Sequence, residues 1–220
     1  MRQLIVLVVG LALVATSLWQ LEQSRSGVST RSMTIGETPA TLYWDATAAP
    51  SPVVVVSHGF AGSRQLMQAF SFHLARAGYR VVAFDALGHG RNPVPMSGDV
   101  TVVEGTTALL VAETRRVVHA ARQVEGASGK VAVLGHSMAS DIVIRAALAE
   151  PGVDNVIAIS MFSEAVTAKA PERLLVISGE WEGRLREVAL KAVRPVDPEA
   201  GEGETVSAGD VQRRAAVSPN

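Results

Sequence analysis

The stretch KVAVLGHSMASDIVIRAAL, residues 130–148, joins a short apolar run to a tight turn and then to a helical pattern. The run at 131–134 is typical of a buried strand, and apolar residues recur at helical spacing after Ser137. Small residues flank the serine, with Gly135 two positions before it and Ala139 two positions after it. A turn of the G-x-S-x-G type between a strand and a helix holds a serine hydroxyl exposed at a sharp bend. The pattern predicts Ser137 as a nucleophile, and a plain helix N-cap serine is the alternative.

Two other glycine-containing loops follow predicted strands, SHGFAGS at residues 57–63 and DALGHGR at residues 85–91. Because parallel strands place their carboxyl ends at one edge of a sheet, both loops are expected beside the Ser137 turn. A small residue before Phe60 allows its N–H to point at a developing oxyanion, and the N–H of Met138 is the predicted second donor.

The wider pattern alternates apolar runs with helical segments. Buried strands are predicted at residues 53–57, 80–85, 131–134, 156–160 and 174–178, with an earlier strand at 40–44. Helices are predicted at residues 65–77 and 106–124, directly after Ser137, and at 185–192. This alternation predicts an α/β fold in which a mostly parallel sheet carries helices on both faces.

The motifs SHGFAGS, DALGHGR and GHSMA, in this order, resemble the α/β-hydrolase fold, in its serine esterase, lipase and lysophospholipase-like branch, over residues 34–220. The resemblance implies a nucleophile at Ser137 and oxyanion donors at Phe60 and Met138. It implies an acid after the strand at 174–178 and a histidine after one further strand. Ala139 departs from the usual last glycine of the motif by one methyl group.

The implied acid falls on Glu182, and Glu180 is the alternative. The implied base is missing from its family position, because every histidine precedes Ser137: His58, His73, His89, His119 and His136. The C-terminal residues RRAAVSPN are interpreted as the last strand before the loop that would carry the histidine. The hydrolase domain, residues 34–220, is therefore predicted to be incomplete at its C-terminal end, with impaired activity.

The N-terminal segment, residues 1–21, has Arg2 at its head and then no charge before Glu22. Its apolar part would be about 24 Å long as a helix, between a signal-peptide core and a spanning helix. We expect a single-pass membrane anchor with the hydrolase domain outside the cytoplasm, with secretion after signal cleavage as the alternative. Residues 22–33 are predicted to be a flexible linker.

The amino-acid composition limits the classes of ligand and partner that the chain is expected to bind. Lys and Arg number 20 against 21 Asp and Glu, so no basic surface for nucleic acid is predicted. Cysteine is absent, and neither a metal motif nor a cofactor motif is present, so no cofactor is implied. Apolar residues near the predicted site suit a small apolar ester or acyl substrate, and they are Phe60, Met96, Met138, Met161, Phe162 and Trp181. The predicted function is ester hydrolysis through a serine acyl intermediate, with a non-catalytic binding protein and a peptidase of the same fold as alternatives.

Overall fold

A computed structural model describes residues 2–23, 25–99, 102–161, 171–179 and 182–183. The strands are β1 (Val28–Ile35), β2 (Thr38–Asp45), β3 (Ser51–Ser57), β4 (Arg80–Phe84), β5 (Ala127–His136), β6 (Asn155–Ile159) and β7 (Leu174–Ile177). The helices are α1 (Arg2–Gln23), α2 (Gln68–Arg76), α3 (Ala108–Ala121) and α4 (Met138–Ala149), and a π-helical turn at Val103–Thr107 leads into α3. The predicted helix at 185–192 and the predicted last strand lie outside the described residues.

One mixed sheet contains these strands in the order β1-β2-β4-β3-β5-β6-β7. The five strands from β4 to β7 in this order are parallel, and Val55 of β3 pairs with both Val82 and Val133. The side chains of β3 alternate between the two faces, so Val53 and Val55 pack with α3 and α4, while Val54 and Val56 pack with α2. An unbroken valine run therefore forms a strand covered on both sides, which confirms the predicted α/β fold with helices on both faces.

An antiparallel hairpin of β1 and β2 extends the sheet at one edge, with Gly36 at φ 61° in its turn. The predicted linker at residues 22–33 is wrong over its second half, because β1 occupies Val28–Ile35 and pairs along its whole length with β2. Its sequence, VSTRSMTI, is polar because β1 is an edge strand that is at most half buried. Because most of its side chains are polar, the β1 sequence lacks the alternation of apolar residues from which a strand is predicted.

Helix α1 continues to Gln23, and the exposed segment Arg2–Gln20, with mean hydropathy 1.9, is long and apolar enough to cross a membrane. The Nη2 group of Arg76, at the end of α2, donates to the carbonyl oxygens of Gln23 at 2.7 Å and Ser26 at 3.3 Å. The end of the apolar helix is therefore attached to the α/β domain by hydrogen bonds as well as by the chain.

A buried carboxylate on α3 connects this helix to the loop that follows β4. Glu113 is fully buried, and its Oε1 accepts hydrogen bonds from Thr38 Oγ1 at 2.6 Å and Asn92 Nδ2 at 2.9 Å. Its Oε2 accepts from the N–H of Leu87 at 2.8 Å. Three donors from two segments thus converge on one side chain.

Replacing Glu113 with Ala should lower the free energy of unfolding by about 3 kcal/mol, because it leaves buried donors without an acceptor. Urea unfolding of the full chain in detergent, followed by tryptophan fluorescence, measures this. The matched control is Glu125→Ala, since the Glu125 side chain is 84% exposed and pairs with Arg31 at 3.5 Å, and its cost should be below about 0.5 kcal/mol. Equal costs for the two variants would contradict the role of Glu113.

Candidate active site

Ser137 lies between β5 and α4 in a backbone conformation that non-glycine residues rarely adopt, with φ 53° and ψ −120°. Its N–H donates to the carbonyl of Ile159 on β6 at 2.9 Å, and its own carbonyl accepts from the N–H of Ser140 at 2.8 Å and Ser140 Oγ at 2.6 Å. Such strained residues persist where surrounding contacts fix them, and they concentrate at functional sites. The serine residue is half buried.

The tight turn depends on the absence of a side chain at Gly135. A Cβ there would lie 2.2 Å from the carbonyl oxygen of Ala139 and 2.8 Å from Val143 Cγ2. Strand β5 and helix α4 therefore cross too closely for any larger residue. The methyl group of Ala139, the departure from the usual motif, is accommodated inside the core at 1% exposure.

The loop after β3 lies against the serine. A Cβ on Gly59 would be 3.1 Å from the Cβ of Ser137 and 3.1 Å from the carbonyl of His136. Phe60 follows directly, and Met138 is the first residue of α4, whose N–H has no partner within the helix. The structure thus brings the segments of Phe60 and Met138 to the serine, as the sequence predicts, whereas their role as oxyanion donors stays a prediction.

Glu182 lies in a tight turn after β7. Its Oε1 accepts from Ser160 Oγ at 2.8 Å, and its Oε2 accepts from the N–H of Gly179 at 2.8 Å. Ser160 directly follows Ile159, which bonds to Ser137, and itself has φ 51°. The carboxylate therefore lies at the same edge of the sheet as the serine, and β6 lies between the strands that lead to the two residues. The alternative acid, Glu180, lies outside the described residues.

Four of the five histidines bond to groups other than Ser137, and the fifth has a buried nitrogen without a partner. His58 is fully buried, and its Nε2 accepts from the N–H of Ala86 at 3.1 Å, so its Nδ1 carries the proton and donates to Gly59 O at 2.8 Å. The other four differ: His89 Nδ1 bonds to Leu87 O, His73 Nδ1 bonds to Ala69 O, His119 pairs with Glu150, and His136 Nδ1 is buried without a partner. Among the described residues, the Ser137 hydroxyl bonds to no histidine nitrogen.

The predicted apolar rim is only partly present. The ring of Phe60 is 68% exposed and packs edge-on against His89 at 5.6 Å between centroids, and Met96 and Met138 are half buried. Met161, in contrast, lies two residues after β6, is fully buried and belongs to the hydrophobic core. Phe162 and Trp181 lie outside the described residues.

A buried aspartate supports the loop that carries Phe60, and the sequence reasoning missed it. Asp85, at the end of β4, is fully buried and accepts from the N–H of Arg64 at 2.7 Å and of Arg91 at 2.9 Å. The guanidinium of Arg64 forms an ion pair with the same carboxylate. The sequence does contain a signal for this role, because Asp85 lies at the end of a predicted buried strand and a buried acid has to be paired.

The comparisons with known proteins agree with this geometry. Residues 48–193 match the family described as serine aminopeptidase, S33. The chain belongs to this family. Its members are hydrolases with the α/β-hydrolase fold, so the predicted resemblance to the α/β-hydrolases and the predicted fold are confirmed.

Solved structures show the same fold. TT1662 from Thermus thermophilus is 20% identical with a TM-score of 0.59, over 80% of this chain and 85% of that one. Hypothetical protein PA2218 from Pseudomonas aeruginosa is 16% identical with a TM-score of 0.56, over 62% and 44%. A thermostable carboxyl esterase from Bacillus coagulans is 18% identical with a TM-score of 0.50, over 65% and 47%. This S33-family chain thus spans less than half of the last two proteins, and no curated protein matches it.

The stability of the site should depend on pH through His58. Burial lowers the pKa of His58 below its ordinary value of 6.5, so the folded protein holds it neutral while the unfolded chain protonates it. The unfolded state then binds more protons below pH 6.5, and stability should be full above this pH and fall as the pH decreases towards the folded pKa.

Denaturant unfolding between pH 7.5 and 5.0 should therefore show a smaller loss of stability on acidification for His58→Gln than for the wild type, as measured by the change in the transition midpoint. Glutamine keeps one donor and one acceptor but cannot titrate. Identical slopes for the two proteins would contradict the neutral, buried state of His58.

Proposed function

We propose that this S33-family chain hydrolyses carboxylic esters through an acyl intermediate on Ser137, and that its rate is impaired because no histidine reaches the serine. The observation that supports the nucleophile is the strained backbone of Ser137, fixed by bonds to Ile159 and Ser140 and approached by the Gly59 loop.

In the proposed reaction the Ser137 Oγ bonds to the ester carbonyl carbon and gives its proton to a base. The N–H groups of Phe60 and Met138 donate to the oxyanion, and such a donor contributes about 3 to 4 kcal/mol. The alkoxide leaves with the proton from the base, and water then attacks the acyl-enzyme to release the acid and restore the serine. The partly exposed Phe60, Met96 and Met138 suit a small apolar acyl group.

Glu182 is proposed as the acid that orients the base. Each of its carboxylate oxygens accepts one hydrogen bond, from Ser160 and from Gly179. A carboxylate oxygen has two lone pairs, so the carboxylate retains acceptor capacity for an imidazole N–H. No imidazole among the described residues is hydrogen-bonded to Glu182 or Ser137, and the Nδ1 atoms of His58 and His89 are bonded to the carbonyl oxygens of Gly59 and Leu87.

Adding imidazole should restore the missing proton transfer. We expect the full chain to hydrolyse p-nitrophenyl butyrate roughly a millionfold more slowly than an intact triad supports, with Ser137→Ala changing that rate less than about tenfold, because triad losses are not additive. Imidazole should raise the wild-type rate at least about tenfold above that of Ser137→Ala in the same buffer.

The Ser137→Ala protein corrects for hydrolysis by imidazole itself. Ordinary esterase turnover without imidazole, lost in Ser137→Ala, would contradict the missing base. Equal imidazole responses of the two proteins would contradict Ser137 as the nucleophile.

Peptide hydrolysis is the second candidate, because the matching family is described as serine aminopeptidase. Ester and amide cleavage use the same nucleophile and oxyanion donors. The same rescue assay with alanine p-nitroanilide separates them, since a Ser137-dependent rate on the anilide equal to that on the ester would favour the peptidase.

We also propose that α1 anchors the chain in a membrane, with Arg2 on the cytoplasmic side and the α/β domain on the other. The support is its length, its apolar composition and its complete exposure outside the core. Lysine and arginine are retained on the cytoplasmic side of such helices.

If α1 is an uncleaved anchor, the expressed protein should stay in the membrane pellet after carbonate extraction and keep its N-terminal Met1–Arg2 sequence. Protease added to spheroplasts, in which the cytoplasmic membrane is intact, should degrade the α/β domain. A carbonate-soluble product that begins near residue 22 would instead show secretion after cleavage.

A further inference from the structure

A cavity of about 310 Å³ lies between the β1–β2 hairpin and the chain entering α2. Three arginines line it, Arg25, Arg64 and Arg91, and no acidic side chain does. The lining also contains Tyr43, Gln65 and Gln68. We call this cavity the arginine pocket. Its positive lining is local, because the chain as a whole has a net charge of −1.

Two of the three positive charges are not compensated. Arg64 forms its ion pair with Asp85 and donates from Nε to Thr41 Oγ1 at 3.1 Å, so its charge is neutralised and its plane is fixed. Within the described residues, the side chains of Arg25 and Arg91 make no hydrogen bond or ion pair. The backbone N–H of Arg91 bonds to Asp85 at 2.9 Å, which holds this residue at the pocket.

The remaining polar side chains of the lining can both donate and accept hydrogen bonds. Tyr43 is buried, which raises the pKa of its phenol, and the side chains of Gln68 and Thr41 form hydrogen bonds with this phenol. Gln65 offers a further amide beside the guanidinium groups. A ligand for such a lining carries negative charge and several acceptor oxygens, and arginine forks match the paired oxygens of phosphate.

The location indicates where the phosphate comes from. Arg25 lies two residues beyond the end of α1, and Arg76 ties the carbonyls of Gln23 and Ser26 to α2, which also borders the pocket at Phe72. If α1 spans a membrane, the pocket lies at the depth where lipid headgroups lie. The volume is at the lower end of the range for ligand cavities, which suits a headgroup rather than a whole lipid.

We propose that the arginine pocket binds a phosphate group, carried either by the headgroup of an anionic membrane lipid or by a free phosphate ester. Arg25 and Arg91 supply the charge, Arg64 forms a wall of fixed orientation, and the amide of Gln65 donates a further hydrogen bond. This site lies on the α2 face of the sheet and is separate from Ser137, so it does not depend on ester hydrolysis.

Titration calorimetry of the full chain in a neutral maltoside detergent tests this with three probes: dihexanoyl phosphatidic acid, methyl phosphate, and dihexanoyl phosphatidylcholine. We expect phosphatidic acid to bind more tightly than phosphatidylcholine. Arg25→Gln with Arg91→Gln should weaken phosphatidic acid binding about 25-fold, since each arginine near a phosphate contributes about fivefold. Raising the salt concentration should also weaken phosphatidic acid binding by the wild type.

The matched control is Arg116→Gln, which removes the same charge from α3 on the opposite face of the sheet and should leave the affinity unchanged. Arg25→Lys with Arg91→Lys keeps the charge without the forks and should lose less affinity than the glutamine pair, which distinguishes binding from misfolding. Equal affinity for methyl phosphate and phosphatidic acid identifies a free phosphate ester as the ligand. Weaker binding of methyl phosphate than of phosphatidic acid identifies the lipid headgroup. Absence of binding by both, or an equal loss in Arg116→Gln, would overturn the proposal.

Discussion

The close crossing of β5 and α4 at Gly135 is the constraint on which the site depends. With no room for even a Cβ between the strand and the carbonyl of Ala139, the chain has to reverse direction within one residue, and Ser137 takes the strained conformation at that point. The unfavourable backbone conformation, about 1 to 3 kcal/mol for such a residue, is offset by bonds to Ile159 and Ser140. The position of the hydroxyl is thus a property of the packed sheet rather than of a mobile loop.

Two buried carboxylates extend this rigidity to the surrounding loops. Asp85 gathers the segments of Arg64 and Arg91, and Glu113 gathers those of Thr38, Leu87 and Asn92. Each satisfies backbone donors that regular secondary structure does not reach. The loop beside Ser137 is therefore fixed by the hydrogen bonds and the ion pair of Asp85, which apolar packing could not replace. Arg64 and Arg91, which bond to Asp85, also line the arginine pocket.

The parts of this fold that the sequence predicts well are those with a strong apolar period. The valine runs of β3 and β4, the turn at Ser137 and the order of the three glycine loops all follow from local patterns. The β1 strand was missed, because an edge strand with Ser, Thr and Arg on its surface has no apolar alternation. The roles of Asp85 and Glu113 and the arginine pocket were missed for another reason. Their partners come from distant positions in the chain, and a net charge of −1 averages local clusters away.

The polar character of β1 has a consequence for neighbouring copies of the chain. The outer side of this strand presents unpaired backbone groups, which in a flat apolar strand would attract a second sheet. Arg31 on this strand is half exposed and, among the described residues, forms its ion pair with the highly exposed Glu125, so burying it against another sheet would remove its hydration. A polar, hydrated border of this kind disfavours the addition of a second sheet along β1.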